Sequence, residues 1–202
     1  MPERSDTSKP AGDVVLVHGI FDTGRVFRKM SDALQAHGFR CWTPDLTPNS
    51  GVLGLDQLAA QLDAYIERYL DSGEQFSMVG FSMGGLVCRY YLQHLGGIRR
   101  ARKLVTLSTP HHGSILAHAL RHKGAMQMRP GSVFLIDLQQ GAHLLENISP
   151  VSIWTPFDLM IVPAVSSSMP SWKEIRLSVL LHPWMLSDRT SVDAVIRELK
   201  EA

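Results

Sequence analysis

The chain has 202 residues, of which 45% are hydrophobic, and its formal net charge is +1 at pH 7. This length and composition can bury one sizeable core, so residues 1–202 are expected to form a single domain. The near-zero charge and the absence of Lys/Arg blocks exclude an electrostatic case for nucleic-acid binding. The apolar runs are too short and interrupted for a transmembrane span.

The first residues and the two cysteines indicate in which cellular compartment the protein is expected. Residues 1–12 are polar and lack the apolar core of a secretory signal, so we expect a cytoplasmic protein without stable membrane anchoring. Cys41 and Cys88 make neither a disulfide framework nor a metal-binding pattern. We therefore expect no metal and no cofactor, and the sequence leaves the oligomeric state open.

Short apolar runs alternate with amphipathic segments along most of the chain. The continuous run at residues 14–17 is typical of a strand that is buried on both faces of a parallel sheet. The predicted strands cover residues 13–17, 39–43, 75–79, 103–107, 151–155 and 172–179. The predicted helices run from about residue 26 to Gly38, and over residues 55–69, 82–94 and 132–140. A closing helix is predicted from its buried stripe of Val192, Val195, Ile196 and Leu199. This order predicts an α/β fold with a mostly parallel sheet and helices on both faces.

Residues 115–149 interrupt this alternation. Connections in such folds are usually short, and long ones commonly carry function, so we expect a small lid-like insertion here. Near the end of the chain, the pattern Thr190-Ser191-Val192-Asp193 predicts a capping box at the start of the closing helix.

Ser82 stands in a Gly-x-Ser-x-Gly motif between a predicted strand and a predicted helix. In a nucleophile elbow, the serine occupies a tight strand-to-helix turn that lifts its hydroxyl clear of the sheet. A side chain at Gly80 or Gly84 would collide where the strand and the helix pass closely. We therefore predict that Ser82 is a nucleophile.

A serine nucleophile needs a base that takes its proton and a carboxylate that orients the base. In chains with this type of elbow, the acid and then the histidine follow the serine. Asp158 comes directly after a predicted core strand, and His182 is the only histidine that follows it. Both lie near the carboxyl ends of strands, where parallel sheets collect their active sites. The rival acids, Asp137 and Glu146, fall on predicted helical segments of the insertion.

Backbone N–H groups are expected to stabilise the charge that develops on the substrate oxygen. The Met83 N–H and an N–H from the loop after the first strand are the expected donors. Ile20 is the first candidate in that loop and Phe21 the second, whereas His18 is expected to hold the loop by hydrogen bonds. Phe21 and His111 are further expected to contact the substrate.

The adjacent His111 and His112 suggest a metal site as an alternative. Neighbouring loop residues point in different directions, and no carboxylate accompanies the pair at ligand spacing. We therefore favour a role in shaping the site beside Ser82.

Five segments together resemble the compact lipases and esterases of the bacterial triacylglycerol lipase type, which have the α/β-hydrolase fold. They are residues 17–20 (VHGI), 80–85 (GFSMGG), 109–114 (TPHHGS), 157–163 (FDLMIVP) and 181–182 (LH). The resemblance implies a triad of Ser82, Asp158 and His182, the oxyanion donors Ile20 and Met83, and a lid after the TPHHGS segment. No ligands for the calcium site of larger members are identified in this sequence, and residues 1–12 do not have the pattern of the secretion signal that is common among lipases.

These features predict a carboxylic-ester hydrolase that acts through an acyl-enzyme on small-molecule or lipid-like esters. An acyltransferase or a thioesterase would use the same triad, because an acyl-enzyme can also react with acceptors other than water. A hydrolase-fold protein that binds a ligand without catalysis is the alternative from a different functional class.

Overall fold

The computed structural model describes residues 11–202 and has a six-stranded sheet at its centre. Its strand order is β2-β1-β3-β4-β5-β6, and every neighbouring pair is parallel. The strands are β1 (Gly12–Val17), β2 (Phe39–Trp42), β3 (Phe76–Phe81), β4 (Ala101–Leu107), β5 (Val151–Trp154) and β6 (Lys173–Arg176). The strand order reverses between β1 and β3, so the loops that follow these two strands diverge and leave a crevice at the carboxyl edge.

Helices cover both faces of the sheet. The α-helices are α1 (Arg28–Ala36), α2 (Leu55–Tyr69), α3 (Met83–His94), α4 (Lys123–Gln127), α5 (Val133–Gln140) and α6 (Arg189–Lys200). The 3-10 helices are Gly24–Phe27, Gly97–Arg99, Ile115–Ala119, Ala142–Ile148, Ala164–Ser167 and His182–Leu186. Between residues 11 and 202, none of the helices combines the length and the hydrophobicity that crossing a bilayer requires.

The side chains of β1 divide the interior into two hydrophobic clusters. Val14 and Leu16 pack with the apolar faces of α1 and α6, whereas Val15 and Val17 pack with those of α2 and α3. Successive residues of a strand point to opposite faces, so a strand between two helical layers must be apolar at every position. The predicted sheet and its two helical layers are confirmed.

The last strand is shorter than predicted. β6 covers only Lys173–Arg176 of the predicted residues 172–179, and after the Leu177 N–H donates to the Trp154 carbonyl the chain leaves the sheet. β6 lies at the sheet edge, so no further strand holds the following residues in register. His182 consequently begins a 3-10 helix instead of following directly on a strand.

The closing helix begins two residues earlier than its sequence pattern predicts. The N-cap of α6 is Asp188, whose carboxylate accepts hydrogen bonds from the N–H groups of Thr190 and Ser191 at 2.9 and 3.4 Å. Thr190 therefore lies inside the first turn, so the predicted capping box is wrong. A carboxylate that precedes the first turn both accepts its free N–H groups and complements the helix dipole.

The insertion at residues 115–149 packs onto the face of the sheet that carries α2 and α3. Its buried side chains Leu135, Leu138 and Ile148 belong to the same cluster as those two helices. Ser132, the first residue of the predicted helix 132–140, is the N-cap of α5, because its hydroxyl accepts a hydrogen bond from the Leu135 N–H at 3.3 Å. The insertion is thus a structured part of the core on this face.

Arg89 connects the insertion to α3 and to the loop after β4. Its guanidinium is fully buried and donates to the Leu138 carbonyl at 2.6 Å and to the Gln139 amide oxygen at 2.9 Å. It also lies 3.2 Å from the Nδ1 atom of His111. Within residues 11–202 no carboxylate pairs with it, and burial lowers the pKa of Arg89 to about 9. The cation is held by neutral acceptors, which makes its hydrogen-bond geometry decisive.

Replacement of Arg89 tests this connection. We expect Arg89→Ala to lower the free energy of unfolding by about 2–4 kcal/mol, because it opens a cavity and leaves buried acceptors unpaired. Denaturant unfolding monitored by circular dichroism measures the change. Arg121→Ala, at an exposed arginine of the same insertion, should change stability by less than about 0.5 kcal/mol. Equal stability of the two variants would contradict a role for Arg89 in holding the insertion.

Candidate active site

Ser82 occupies a strained turn at the carboxyl edge of the sheet. β3 ends at Phe81 and α3 begins at Met83, so Ser82 alone makes the change from strand to helix. Its backbone has φ 53° and ψ −125°, a conformation that residues with a side chain rarely adopt. The geometry is that of a nucleophile elbow, in which the turn presents the serine hydroxyl above the sheet.

Close backbone approaches hold this turn in place. A Cβ atom at Gly84 would overlap with the backbone carbonyl of Val17, and one at Gly85 would overlap with the Thr109 hydroxyl. A Cβ atom at Gly80 would lie 2.5 Å from the Cα of Gly85. The first turn of α3 therefore packs directly against β1 and the loop after β4, as the flanking glycines of the motif predict.

Asp158 and His182 form a hydrogen-bonded pair although 24 positions separate them in sequence. The distance from His182 Nδ1 to Asp158 Oδ2 is 2.6 Å. The other carboxylate oxygen of Asp158 accepts the N–H groups of Met160 and Ile161, each at 2.9 Å. Asp158 follows β5 in a turn, so the strand and these two N–H groups fix its position. The structure thus brings together the predicted acid and the predicted base.

The surroundings of Asp158 favour its ionised form. Burial raises the pKa of this carboxyl, but the hydrogen bond and the charge of His182, together with the two N–H donors, outweigh it and lower the pKa below its ordinary value. An ionised Asp158 can only accept hydrogen bonds, so Nδ1 of His182 must carry the proton that lies between them. The Nε2 atom of a neutral His182 is then free to accept a proton.

Ser82 and His182 line the same cavity, whose volume is about 750 Å³. The ring of His182 packs against the ring of Phe81, the neighbour of Ser82, with a centroid separation of 4.7 Å. Within residues 11–202 no hydrogen bond joins the Ser82 hydroxyl to His182. Such bonds are often long in the absence of substrate and shorten when the substrate binds. Ser82 and His182 therefore line one cavity, and Asp158 is attached to it through its hydrogen bond with His182.

The loop after β1 offers one free N–H group beside this cavity. The Phe21 N–H donates to the Asn49 carbonyl at 2.9 Å and is therefore occupied. No hydrogen bond in the described part of the chain uses the Ile20 N–H. Of the two predicted donors in this loop, the geometry favours Ile20, whereas Phe21 lines the cavity with an exposed ring.

Met83 supplies the second predicted donor. As the first residue of α3, it has a backbone N–H for which no carbonyl of a preceding helical turn is present as acceptor. The loop after β1 runs close by, since a Cβ atom at Gly19 would lie 3.1 Å from the Cβ of Ser82. An oxygen held beside Ser82 would thus face the start of a helix and a neighbouring loop N–H, a favourable arrangement for negative charge.

His18 holds the loop after β1, as the sequence predicts. Its Nε2 atom accepts the Leu46 N–H at 2.9 Å, and its Nδ1 atom lies 2.8 Å from the Gly19 carbonyl. Both ring nitrogens are engaged in a fully buried position, so His18 fixes the loop backbone.

His111 lies outside the cavity of Ser82. Its buried ring contacts the Thr106 hydroxyl at 3.1 Å and the Arg89 guanidinium at 3.2 Å. Burial holds the pKa of His111 well below its ordinary value, and the positive charges of Arg89 and His112 lower this pKa further. The ring is therefore neutral. His111, which was predicted to contact the substrate, does not line this cavity, because its ring turns toward α3 instead. Within residues 11–202 no three His, Cys, Asp or Glu side chains group as metal ligands.

Several residues of the cavity lining were not predicted as site residues, although some of them lie in the segments 157–163 and 181–182. Asp22 is one of these unpredicted residues, and burial raises the pKa of its carboxyl, although His18 and His182 partly oppose this. The apolar wall comes from residues that lie near Asp158 and His182 in sequence, on both sides of His182. It consists of Leu159, Met160, Leu180, Leu181 and Leu186. Residues 115–149 contribute nothing to the lining of this cavity.

Solved structures of several enzymes have the same architecture. The mature lipase BlEst2 of Bacillus licheniformis superposes with a TM-score of 0.74 at 17% identity, over 98% of this chain and 94% of that chain. Lipase B of Aspergillus fumigatus gives 0.75 at 14% identity, over 96% of this chain and 54% of that chain. The methylesterase MES16 of Arabidopsis superposes with a TM-score of 0.68 at 19% identity, over 94% of this chain and 99% of that chain. At these identities the likeness establishes the fold.

Sequence comparison leads to the same family. No curated protein is significantly similar to the chain in sequence. The family model described as alpha/beta hydrolase fold matches residues 13–123, which include β1, the loop after it, the elbow at Ser82 and β4. This match covers more than half of the chain, and the sheet order and the elbow agree with it. The chain therefore belongs to the α/β-hydrolase fold family.

Proposed function

We propose that the protein is a serine carboxylic-ester hydrolase that acts through an acyl-enzyme on Ser82. The observation that carries the proposal is the 2.6 Å hydrogen bond between Asp158 and His182 at the cavity that also contains Ser82. An ionised, buried carboxylate behind an imidazole leaves the far nitrogen of that ring as a base. A strained serine beside the base is the arrangement that acyl transfer requires.

In the first half of the reaction, Nε2 of His182 accepts the hydroxyl proton while the Ser82 oxygen bonds to the ester carbonyl carbon. The carbonyl oxygen becomes negative and receives hydrogen bonds from the Ile20 and Met83 N–H groups. The bond to the alcohol oxygen then breaks, and this oxygen takes the proton from Nε2. An acyl-enzyme remains on Ser82.

In the second half, His182 accepts a proton from a water molecule, whose oxygen attacks the acyl carbon. The collapse of this intermediate releases the carboxylic acid and returns a proton to the Ser82 oxygen. Asp158 remains ionised throughout and stabilises the imidazolium that forms in each half. The leucine and methionine side chains of the cavity suit the apolar part of an acyl or lipid-like ester.

Loss of the Ser82 hydroxyl should abolish both turnover and covalent labelling. We expect Ser82→Ala to lower kcat for p-nitrophenyl butyrate by a factor of roughly 10⁴ or more, because no nucleophile remains. A fluorophosphonate probe, detected by mass spectrometry of the intact protein, should label the wild type once and the variant not at all. Ser187→Ala is the matched control, since Ser187 is an exposed serine that lines the same cavity. Undiminished labelling of the Ser82→Ala protein would show that another residue is the nucleophile.

The role of Asp158 can be separated from that of its rival in the insertion. In Asp158→Asn the amide donates to Nδ1 of His182, which places the ring proton on Nε2 and removes the base. We expect kcat to fall by roughly 10²–10⁴ while the fold, followed by circular dichroism, is retained. Asp137→Asn should leave kcat unchanged, because Asp137 contacts His94 at 2.9 Å and lies outside the cavity. The reverse ranking of the two variants would assign the acid to the insertion.

A further inference from the structure

Three cations line the cavity that contains Ser82. Arg25 lies in the 3-10 helix Gly24–Phe27, and Arg28 and Lys29 begin α1. Their spacing places all three on one side of a continuous helical segment. Their side chains are exposed, so they reach the cavity from its solvent-accessible side. We call Arg25, Arg28 and Lys29 the cationic wall.

The side chains of the cationic wall are not ion-paired in the described part of the chain. Within residues 11–202 none of its three side chains forms an ion pair. Asp32 and Asp45 lie in an adjoining groove that Arg25 and Arg28 also line, and Asp45 already accepts the Gly24 N–H at 2.6 Å. The acids of that groove are thus close to the wall, but within residues 11–202 they form no ion pair with it.

The side chains that line the cavity carry a net positive charge. Asp22 is the one carboxylate among the lining residues that the structure describes, and it faces three cations. The net charge of the whole chain is only +1, so this excess is local. A concave surface that carries charges of one sign focuses the electric field and concentrates ions of the opposite sign.

We infer that the substrate ester carries an anionic group, a carboxylate or a phosphate, which the cationic wall binds while the ester carbonyl lies at Ser82. This inference rests on the proposed ester hydrolysis and specifies its substrate class. The cavity offers two kinds of surface, since leucine and methionine side chains line the rest of it. An ester with an apolar body and an anionic end matches both. Arginine side chains can hold a carboxylate or a phosphate with paired hydrogen bonds.

Matched pairs of esters test the inference. In the first pair, mono-p-nitrophenyl adipate carries a carboxylate on the acyl part, and p-nitrophenyl adipamate replaces it with a neutral amide. In the second pair, p-carboxyphenyl butyrate and p-carbamoylphenyl butyrate differ in the same way on the alcohol part. At low ionic strength we expect kcat/KM of the anionic ester to exceed that of its neutral partner by roughly tenfold in at least one pair. The pair that shows the difference locates the anion on the acyl or the alcohol side.

Substitutions of the cationic wall and added salt test whether this wall causes the preference for anionic esters. Replacement of all three residues of the cationic wall by glutamine should bring the ratio of the two kcat/KM values to about one. Replacement of Arg68, Arg121 and Lys200 by glutamine removes the same charge from exposed positions elsewhere and should leave the ratio unchanged. Added salt should lower the wild-type ratio, because the wall is exposed to solvent.

A binding measurement separates this inference from the proposed reaction. In Ser82→Ala protein, where turnover is blocked, the dissociation constant for an anionic ester should be roughly tenfold lower than for its neutral partner. Equal dissociation constants, or a preference that survives the loss of the cationic wall, would overturn the anion site. Preferential binding of the anionic ester without hydrolysis of any ester by the wild type would instead support the site and reject the proposed hydrolase.

Discussion

The structure around Ser82 depends on one steric constraint, the close packing of the first turn of α3 against β1. A side chain at Gly84 has no room beside the Val17 carbonyl, and one at Gly85 has none beside Thr109. This packing forces the chain to turn within a single residue, and Ser82 takes the strained conformation that results. The energy of that strain is supplied by the buried sheet and helices on either side, which leaves the serine side chain in a fixed position at the edge of the sheet.

A second arrangement, the ionised carboxylate of Asp158 behind His182, turns this position into a chemical site. Asp158 is buried, which by itself would favour its neutral form, but His182 and two backbone N–H groups keep it charged. The backbone donors come from the turn that follows Asp158, so the same local structure that positions the carboxylate also keeps it ionised. The cavity in front of the pair is lined by apolar side chains and by the cationic wall, so it has one apolar part and one positively charged part.

Much of this organisation could be predicted from the sequence, because it follows from local patterns. Continuous apolar runs predicted the strands, and the order of Ser82, Asp158 and His182 predicted which residues would meet. The two errors had different origins. β6 ends early because no strand lies beyond it, which a local pattern does not reveal. The cap of α6 is a local feature, and the error was to place the cap at Thr190 when Asp188, two residues earlier, also offers an acceptor for the first N–H groups of the helix.

Two features of the site were beyond local patterns altogether. His111 turns away from the cavity because a buried arginine on α3 and a threonine on β4 hold its ring, and both contacts join distant parts of the chain. The insertion at residues 115–149 was expected to lie over the site as a lid, yet in this structure it packs on the face of α2 and α3 and lines no part of the cavity. Any covering movement by this segment stays a prediction.

The central claim is that Ser82, His182 and the two backbone donors act on one carbonyl carbon. A crystal structure of the protein after reaction with an alkyl phosphonate ester tests it most directly, since the phosphonyl group imitates the tetrahedral intermediate. The proposed mechanism predicts a covalent bond from phosphorus to the Ser82 oxygen, and a phosphonyl oxygen within hydrogen-bond distance of the Ile20 and Met83 N–H groups. It also predicts His182 Nε2 within hydrogen-bond distance of the Ser82 oxygen or of the leaving-group oxygen. Phosphorus bonded to a different residue, or an adduct on Ser82 with the ring of His182 remote from it, would contradict the mechanism.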